Sequence, residues 1–170
     1  MKNNMKTTDD QSELFIVVDK YDNVLGYRTR YECHHDKRLT HRSICIVLRN
    51  THGDILLQKR SMSKDTWAGF YTVAASGHVT KGDSVEEAAE RELFEEIGVR
   101  TPLTFQTKFY IETDEESEIV AVFTGNHDGP FTTHPEEVES VVFFRPDEIR
   151  HMQDKLTSTA VTCLHHLHIL

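Results

Sequence analysis

The sequence predicts an α+β domain with one mixed β-sheet and two or three helices. Three observations carry this. Short β-rich apolar runs recur from residue 14 to residue 144, clear helical periodicity is confined to residues 84–97, and no repeat, low-complexity tract or linker divides the chain. At 170 residues the chain suits one domain with one substantial core. Its 38% hydrophobic content is enough to fold it.

Residues 1–12 are polar and are expected to be a loose N-terminal segment, leaving 13–170 as the domain. "LFIVVD" (14–19) and "VLGYRTR" (24–30) flank "KYDN" as a hairpin. "YECHHDKRLTH" (31–41) has no period and reads as a loop. "RSICIVLRN" (42–50) is β-rich, and "THGD" turns it into "ILLQKR" (55–60) as a second hairpin. A loop at 61–69 leads to "FYTVAAS" (70–76), one short buried strand. On the 84–97 helix, Val85, Ala89, Leu93 and Ile97 form one apolar stripe. Asp83 or Ser84 can cap its start, and Gly98 sits where a terminating glycine belongs. Strand-like runs follow at 103–111 and 118–124, then a turn at "NHDGP" and a further run at 138–144. "PDEIRHM" opens a short helix with proline near its first position, and "STAVTCLHHLHIL" (158–170) closes the chain as an amphipathic helix.

A net charge of −9 argues against duplex nucleic acid as a partner. Cys33, Cys45 and Cys163 are odd in number and widely spaced, which reads as reduced thiols in a cytosol. No apolar run approaches the ~18–20 residues of a membrane span, and the N-terminus has no signal-like apolar stretch, so a cytoplasmic protein without a membrane partner is expected.

The chemistry concentrates in "AERELFEEIG" (89–98). Glu92, Glu95 and Glu96 are related by three- and four-residue steps, so they project from one side of the helix, away from Leu93. Such like charges repel by a few tenths of a kcal/mol per pair, and the macrodipole disfavours acids near a helix C-terminus. Arg91 alone cannot neutralise them. A generic Glu-rich helix is a solvated acidic face; this one gains a purpose if the acids hold a hard cation, which takes oxygen ligands and bridges to phosphates.

The surrounding text decides between the two. "GHVTKGDSVEEAAERELFEEIGV" (77–99) resembles the Nudix box, G-x5-E-x7-R-E-U-x-E-E-x-G-U with U aliphatic. Gly77, Arg91, Glu92, Leu93, Glu95, Glu96, Gly98 and Val99 match in register; the departure is Asp83, where the box has glutamate. The resemblance implies a Nudix fold, an α/β/α sandwich with a loop–helix–loop motif. It also implies Mg²⁺- or Mn²⁺-dependent hydrolysis of the diphosphate linkage in a nucleoside diphosphate derivative or related small molecule. Carried over, Glu92, Glu95 and Glu96 become metal ligands. One of them, or an acid from a later loop, activates water; Arg91 orients the glutamates, and Gly77 lets the loop backbone approach metal and phosphate.

Beyond the box, "VVDKYDNVLG", the H-x6-H of His34 to His41, "LLQKRSMSKDTWAG", "SGHV" and "EESEIVAVF" resemble the isopentenyl diphosphate isomerase branch of the superfamily. That branch implies a second metal site at His34, His41, His78, Glu116 and Glu118, and diphosphate binding by Arg60 and Lys64. The isomerases place a catalytic cysteine where this chain has Ser76, and a hydroxyl is poor at reversible proton transfer near neutral pH. They also tend to lose the box's glutamates, which are whole here. Hydrolysis is therefore the favoured expectation, with a prenyl diphosphate isomerase as the alternative. A mere diphosphate- or metal-binding module would have no need of an intact carboxylate set. The resemblance admits a homodimer. The loops at 31–40, 61–69 and 112–118 name no base or sugar; Trp67, Phe70, Tyr71 and Tyr110 are candidates to stack on one.

Overall fold

The structure, a computed structural model, describes residues 9–170. Among them nine strands join one mixed sheet: β1 (Leu14–Val18), β2 (Val24–Thr29), β3 (His41–Arg49), β4 (Ile55–Arg60), β5 (Tyr71–Val73), β6 (Ala75–His78), β7 (Thr104–Glu112), β8 (Ser117–Asn126) and β9 (Val138–Phe144). The helices are α1 (Arg30–Cys33), α2 (Val85–Ile97), α3 (Pro146–Arg150) and α4 (Ser158–His166).

β3 is the spine. It runs parallel to β8 from His41↔Glu118 to Arg49↔Asn126 and antiparallel to β6 from Ser43↔His78 to Ile46↔Ala75. Its side chains alternate as a two-faced strand must. Ile44, Ile46 and Leu48 enter the core cluster beneath α2, whereas Cys45 and Val47 enter a second cluster with Ile149 of α3 and Ala160, Cys163 and Leu164 of α4. Helices on both faces of the sheet give the expected α/β/α sandwich.

The helix carrying the acids forms for local reasons. Ser84 accepts from Glu87 N while the Glu87 side chain accepts from Ser84 N, a reciprocal cap worth about 0.5–2 kcal/mol. Ala89, Leu93 and Ile97 are buried, Val85 packs against the same cluster, and Gly98 ends the helix at φ +71°. Fully burying Leu93 or Ile97 contributes about 1.5–3 kcal/mol each.

Four expectations are corrected. The 31–41 stretch is not all loop: Arg30–Cys33 makes one helical turn, capped by Thr29 and Glu32. The second hairpin is barely paired, since β3 and β4 meet only at Arg49↔Ile55 before β4 diverges to pair with β5 and β9. Residues 70–76 are not one strand but the start of two, β5 pairing with β4 and β6 with β3. Of the N-terminal segment, 1–8 lie outside the described residues, but 9–12 are tied down: Tyr31 N donates to Gln11 O at 3.1 Å, and the Asp9 carboxylate is only 5% exposed.

Candidate active site

The register delivers the site residues to one end of the sheet. His41 opens β3 beside Glu118 of β8, and His78 ends β6 opposite Ser43. The helical turn α1 ends at His34, whose N–H bonds back to Arg30 O. Packing of α2 under β6 then brings the helix acids to the same opening. The result is a cavity of about 380 Å³ bordered by Glu92, Glu95, Glu96, His78, Glu116 and Glu118, with Arg30, Arg60, Lys64 and Arg91 supplying the cations.

The three histidines converge on one oxygen. Nε2 of His34, His41 and His78 lies 2.9, 3.1 and 3.3 Å from Glu116 Oε2, and the four ligand atoms all fall within 4.8 Å of one another. Glu118 stands just outside, its Oε1 3.6 Å from His78 Nε2. Phe15 stacks on His41 and His78 and walls the cluster off. Burial acts to raise the Glu116 carboxyl, but the three histidine rings around it outweigh this and hold it well below the usual range. Burial, helped by Glu116, pushes Glu118 up to about 7.

This donor set fits a divalent cation. The His41 Nδ1 faces Leu39 O at 3.0 Å, an acceptor only, so Nδ1 carries a proton and Nε2 is the ring nitrogen left to ligate an ion in place of its own proton. His34 Nε2 is buried and, despite its short distance to Glu116, makes no hydrogen bond of acceptable geometry. Imidazole nitrogens plus a carboxylate gathered this closely are ligands of the kind that divalent transition metals take.

The acids of α2 are less alike than helical spacing suggested. Glu95 is exposed, Glu92 half-buried and Glu96 buried, so Glu96 does not project with the others from a solvated face. Instead Glu96 Oε2 accepts from Gln58 Nε2 of β4 and from Ser76 N at 3.4 Å. Burial pushes the Glu96 carboxyl up to about 8 and Glu92 up to about 7, the latter against the pull of Arg91. Arg91 Nη1 donates to Glu92 Oε1 at 2.7 Å and to Glu95 Oε2 at 3.4 Å. Among the described residues the glutamate oxygens do not gather as tightly as the histidine group. They offer hard oxygen donors around one opening, a set that suits a hard divalent cation.

The NUDIX domain model matches residues 39–167. The chain belongs to the Nudix family. An uncharacterized Nudix hydrolase of Yersinia pestis is 34% identical over 149 residues, covering 87% of this chain and 81% of that one. An isopentenyl-diphosphate Delta-isomerase of Corynebacterium diphtheriae is 31% identical over 150 residues, covering 82% of each. A crystal structure from Deinococcus radiodurans superposes with a TM-score of 0.77 at 20% identity, covering 92% of this chain and 99% of that one, which shows the shared fold.

Within the Nudix box, the Asp83 departure has a structural outcome. Asp83 does not cap the helix, since Ser84 does; it accepts from Thr80 Oγ1 at 3.0 Å and from Arg91 Nε at 3.2 Å, and so braces the arginine. Gly77 packs so close to Glu92 that a methyl group there would lie 2.5 and 2.7 Å from its two carboxylate oxygens. Arg60 borders the cavity but donates to Thr66 O, closing its own loop, and Lys64 is held between Asp9 and Glu137. Of the aromatic candidates only Trp67 lines the cavity; Tyr71 packs on Phe144, and Tyr110 is exposed on β7.

Ser76 lies directly across from Cys45. The Cys45 thiol is no substitute proton donor: the neighbouring Cys163 thiol and burial push it well above its usual range. Sequence reasoning missed Asp9, Arg30, Gln58 and Asp65. Asp9 and Arg30 lie outside the stretches that carry the family resemblance, Gln58 and Asp65 lie within "LLQKRSMSKDTWAG" but take no role from it, and each meets its partner through contacts distant in sequence. No helix of the described residues is long and apolar enough to cross a membrane.

Proposed function

We propose that the chain is a divalent-metal-dependent hydrolase that cleaves the diphosphate linkage of a nucleoside diphosphate derivative or a related small molecule. The observation that carries the reading is one cavity bordered by the intact box acids Glu92, Glu95 and Glu96 and by Arg60 and Lys64. The three glutamates would hold Mg²⁺ or Mn²⁺. His34, His41, His78 and Glu116, with Glu118 adjacent, would hold a second ion. When bound, such ions supply charge neutralisation of the diphosphate and acidification of the attacking water.

The chain's own groups do the rest. Arg91 fixes Glu92 and Glu95, and the Gln58 amide fixes Glu96. Lys64 supplies a cation for the diphosphate, and the absence of a side chain at Gly77 lets Glu92 sit against the loop. The proton acceptor is one of the buried helix acids or Glu137, which a later loop brings to the same cavity. Ser76 and the masked thiol of Cys45 support hydrolysis over allylic isomerisation.

A panel of nucleoside diphosphate derivatives and prenyl diphosphates, each with Mg²⁺ or Mn²⁺, tests this directly. Release of phosphate-containing fragments that stops with EDTA and with Glu95→Gln/Glu96→Gln supports the reading. Turnover by that double variant in EDTA, or isomerisation of isopentenyl diphosphate by the unmodified chain, would overturn it.

A further inference from the structure

The cations bordering the cavity are engaged by the chain itself. Arg91 is shared among Asp83, Glu92 and Glu95, and Arg60 is spent on the Thr66 carbonyl. Lys64 and Arg30 also reach a carboxylate on the N-terminal segment, Arg30 while it grips Asp65 through Nε at 3.1 Å and Nη2 at 3.0 Å. Asp9 Oδ1 lies 2.5 Å from Lys64 Nζ and 3.6 Å from Arg30 Nη2, and Asp9 Oδ2 accepts from the backbone N–H of Asp65 at 3.2 Å. Two cations and a backbone N–H closing on one buried anion form the pattern by which proteins hold a phosphate oxyanion.

Lys64 has a second partner, Glu137 Oε2 at 2.5 Å, and the two carboxylates are not equally replaceable. Glu137 belongs to a loop tied to α2, through His134 N to Glu96 O at 3.0 Å and Glu137 N to His134 O at 2.9 Å. The N-terminal segment is anchored at Gln11 and Glu13, whose carbonyls accept from Tyr31 N and Arg30 N at 3.1 and 2.8 Å. Asp9 lies before both anchors, so displacing its carboxylate breaks neither of these two backbone bonds.

We propose that Asp9 fills the anion subsite a substrate diphosphate must enter, making this carboxylate a built-in competitor of the substrate. This rests on the diphosphate reading above. Asp9, Asp10 and Glu13 also border the cavity, adding negative charge where the box glutamates already stand, so an incoming anion meets repulsion as well as an occupied cradle. A diphosphate carries more charge than one carboxylate and so displaces it. The cost appears as weaker binding, with little effect on the chemical step.

The test is isothermal titration of the full chain with methylenediphosphonate, a diphosphate that cannot be hydrolysed, at fixed Mg²⁺ and low salt, where exposed charges are least screened. Asp9→Asn is expected to bind it about tenfold more tightly than the unmodified chain, with Asp9→Glu close to unmodified. On a substrate found by the panel, Asp9→Asn lowers KM by a similar factor and leaves kcat within a few-fold. A residue that merely positions Lys64 and Arg30 gives the opposite sign, so weaker or unchanged binding in Asp9→Asn overturns the proposal alone. If neither the unmodified chain nor the variant binds the diphosphonate while circular dichroism shows both folded, the proposal falls together with the diphosphate reading.

Discussion

Replacing Gly77 with alanine tests how the loop and helix of the box depend on one another. The added methyl would lie 2.5 Å from Glu92 Oε1, 2.7 Å from Oε2 and closer still to Cδ, and real contacts of this kind do not close below 3.0 Å, so the carboxylate must retreat by more than about 0.5 Å. It cannot do so freely, because Glu92 Oε1 is held at 2.7 Å by Arg91 Nη1, which Asp83 braces from the other side. Loosening a half-buried charge-assisted hydrogen bond costs about 1–2 kcal/mol. The effect on rate is larger in proportion. Misplacing a catalytic group by about 1 Å costs roughly 10²-fold, so kcat should fall about 10- to 100-fold.

The prediction is sharpened by a double-mutant cycle. In a Glu92→Ala background the methyl meets no carboxylate, so Gly77→Ala should cost almost nothing further in urea unfolding or in residual activity. The two substitutions should therefore couple by about 1 kcal/mol or more in stability. Additive unfolding free energies, or full kcat in Gly77→Ala alone, would refute the reasoning. They would mean that the glycine serves the loop's own conformation and not the closeness of Glu92.

Three further outcomes are expected. Burial raises the Glu96 carboxyl from its usual 4.5 to about 8, so the folded chain holds a proton there that the unfolded chain has lost; this contribution is complete below about pH 4.5 and disappears as pH rises to about 8. Glu96→Gln, which has no proton to lose, should gain in melting temperature over the unmodified chain from pH 5 to pH 8 in EDTA while losing at least about 10²-fold in kcat; a pH-independent difference contradicts the assignment. His41→Ala should weaken Mn²⁺ binding at its site, followed by electron paramagnetic resonance, by at least about tenfold, and two-site titration unchanged in the variant rules out the histidine cluster as a metal site. Ser76→Ala should leave hydrolysis within a few-fold and give no allylic product from isopentenyl diphosphate, and deuterium uptake from solvent into that substrate by the unmodified chain would reverse the ranking of hydrolase over isomerase.

What was legible before any coordinates follows the range over which each feature is determined. The helix at 85–97 announces itself within its own residues, by an apolar stripe, a Ser84 cap and a terminal glycine. Strands such as Ile55–Arg60 and Val138–Phe144 stand at the bounds their composition marked. The Arg30–Cys33 turn was hidden because four residues cannot display a helical period, although "TRYE" carries its capping box. The break at Ala74 was hidden for another reason. Nothing within 70–78 distinguishes a strand that keeps its partner from one that leaves β4 for β3, since that choice is made by the strands on either side.

The site divides along the same line. The acids were readable by spacing and the histidines by resemblance, yet their inequality was not. Glu92, Glu95 and Glu96 are one residue type on one helix, and only the tertiary neighbours Gln58, Gly77 and Arg91 give each its own burial and hydrogen bonds. A pattern of residues thus reports which atoms can do the chemistry. Which atoms are free to do it depends on partners far along the chain. Lys64 illustrates this most plainly: in the sequence it is an available cation, and in the fold it is already shared between Asp9 and Glu137. Affinity for any anionic ligand is therefore set by the difference between that ligand and the carboxylates it replaces, and substitutions at Asp9 and Glu137 will tune binding from outside the family motif.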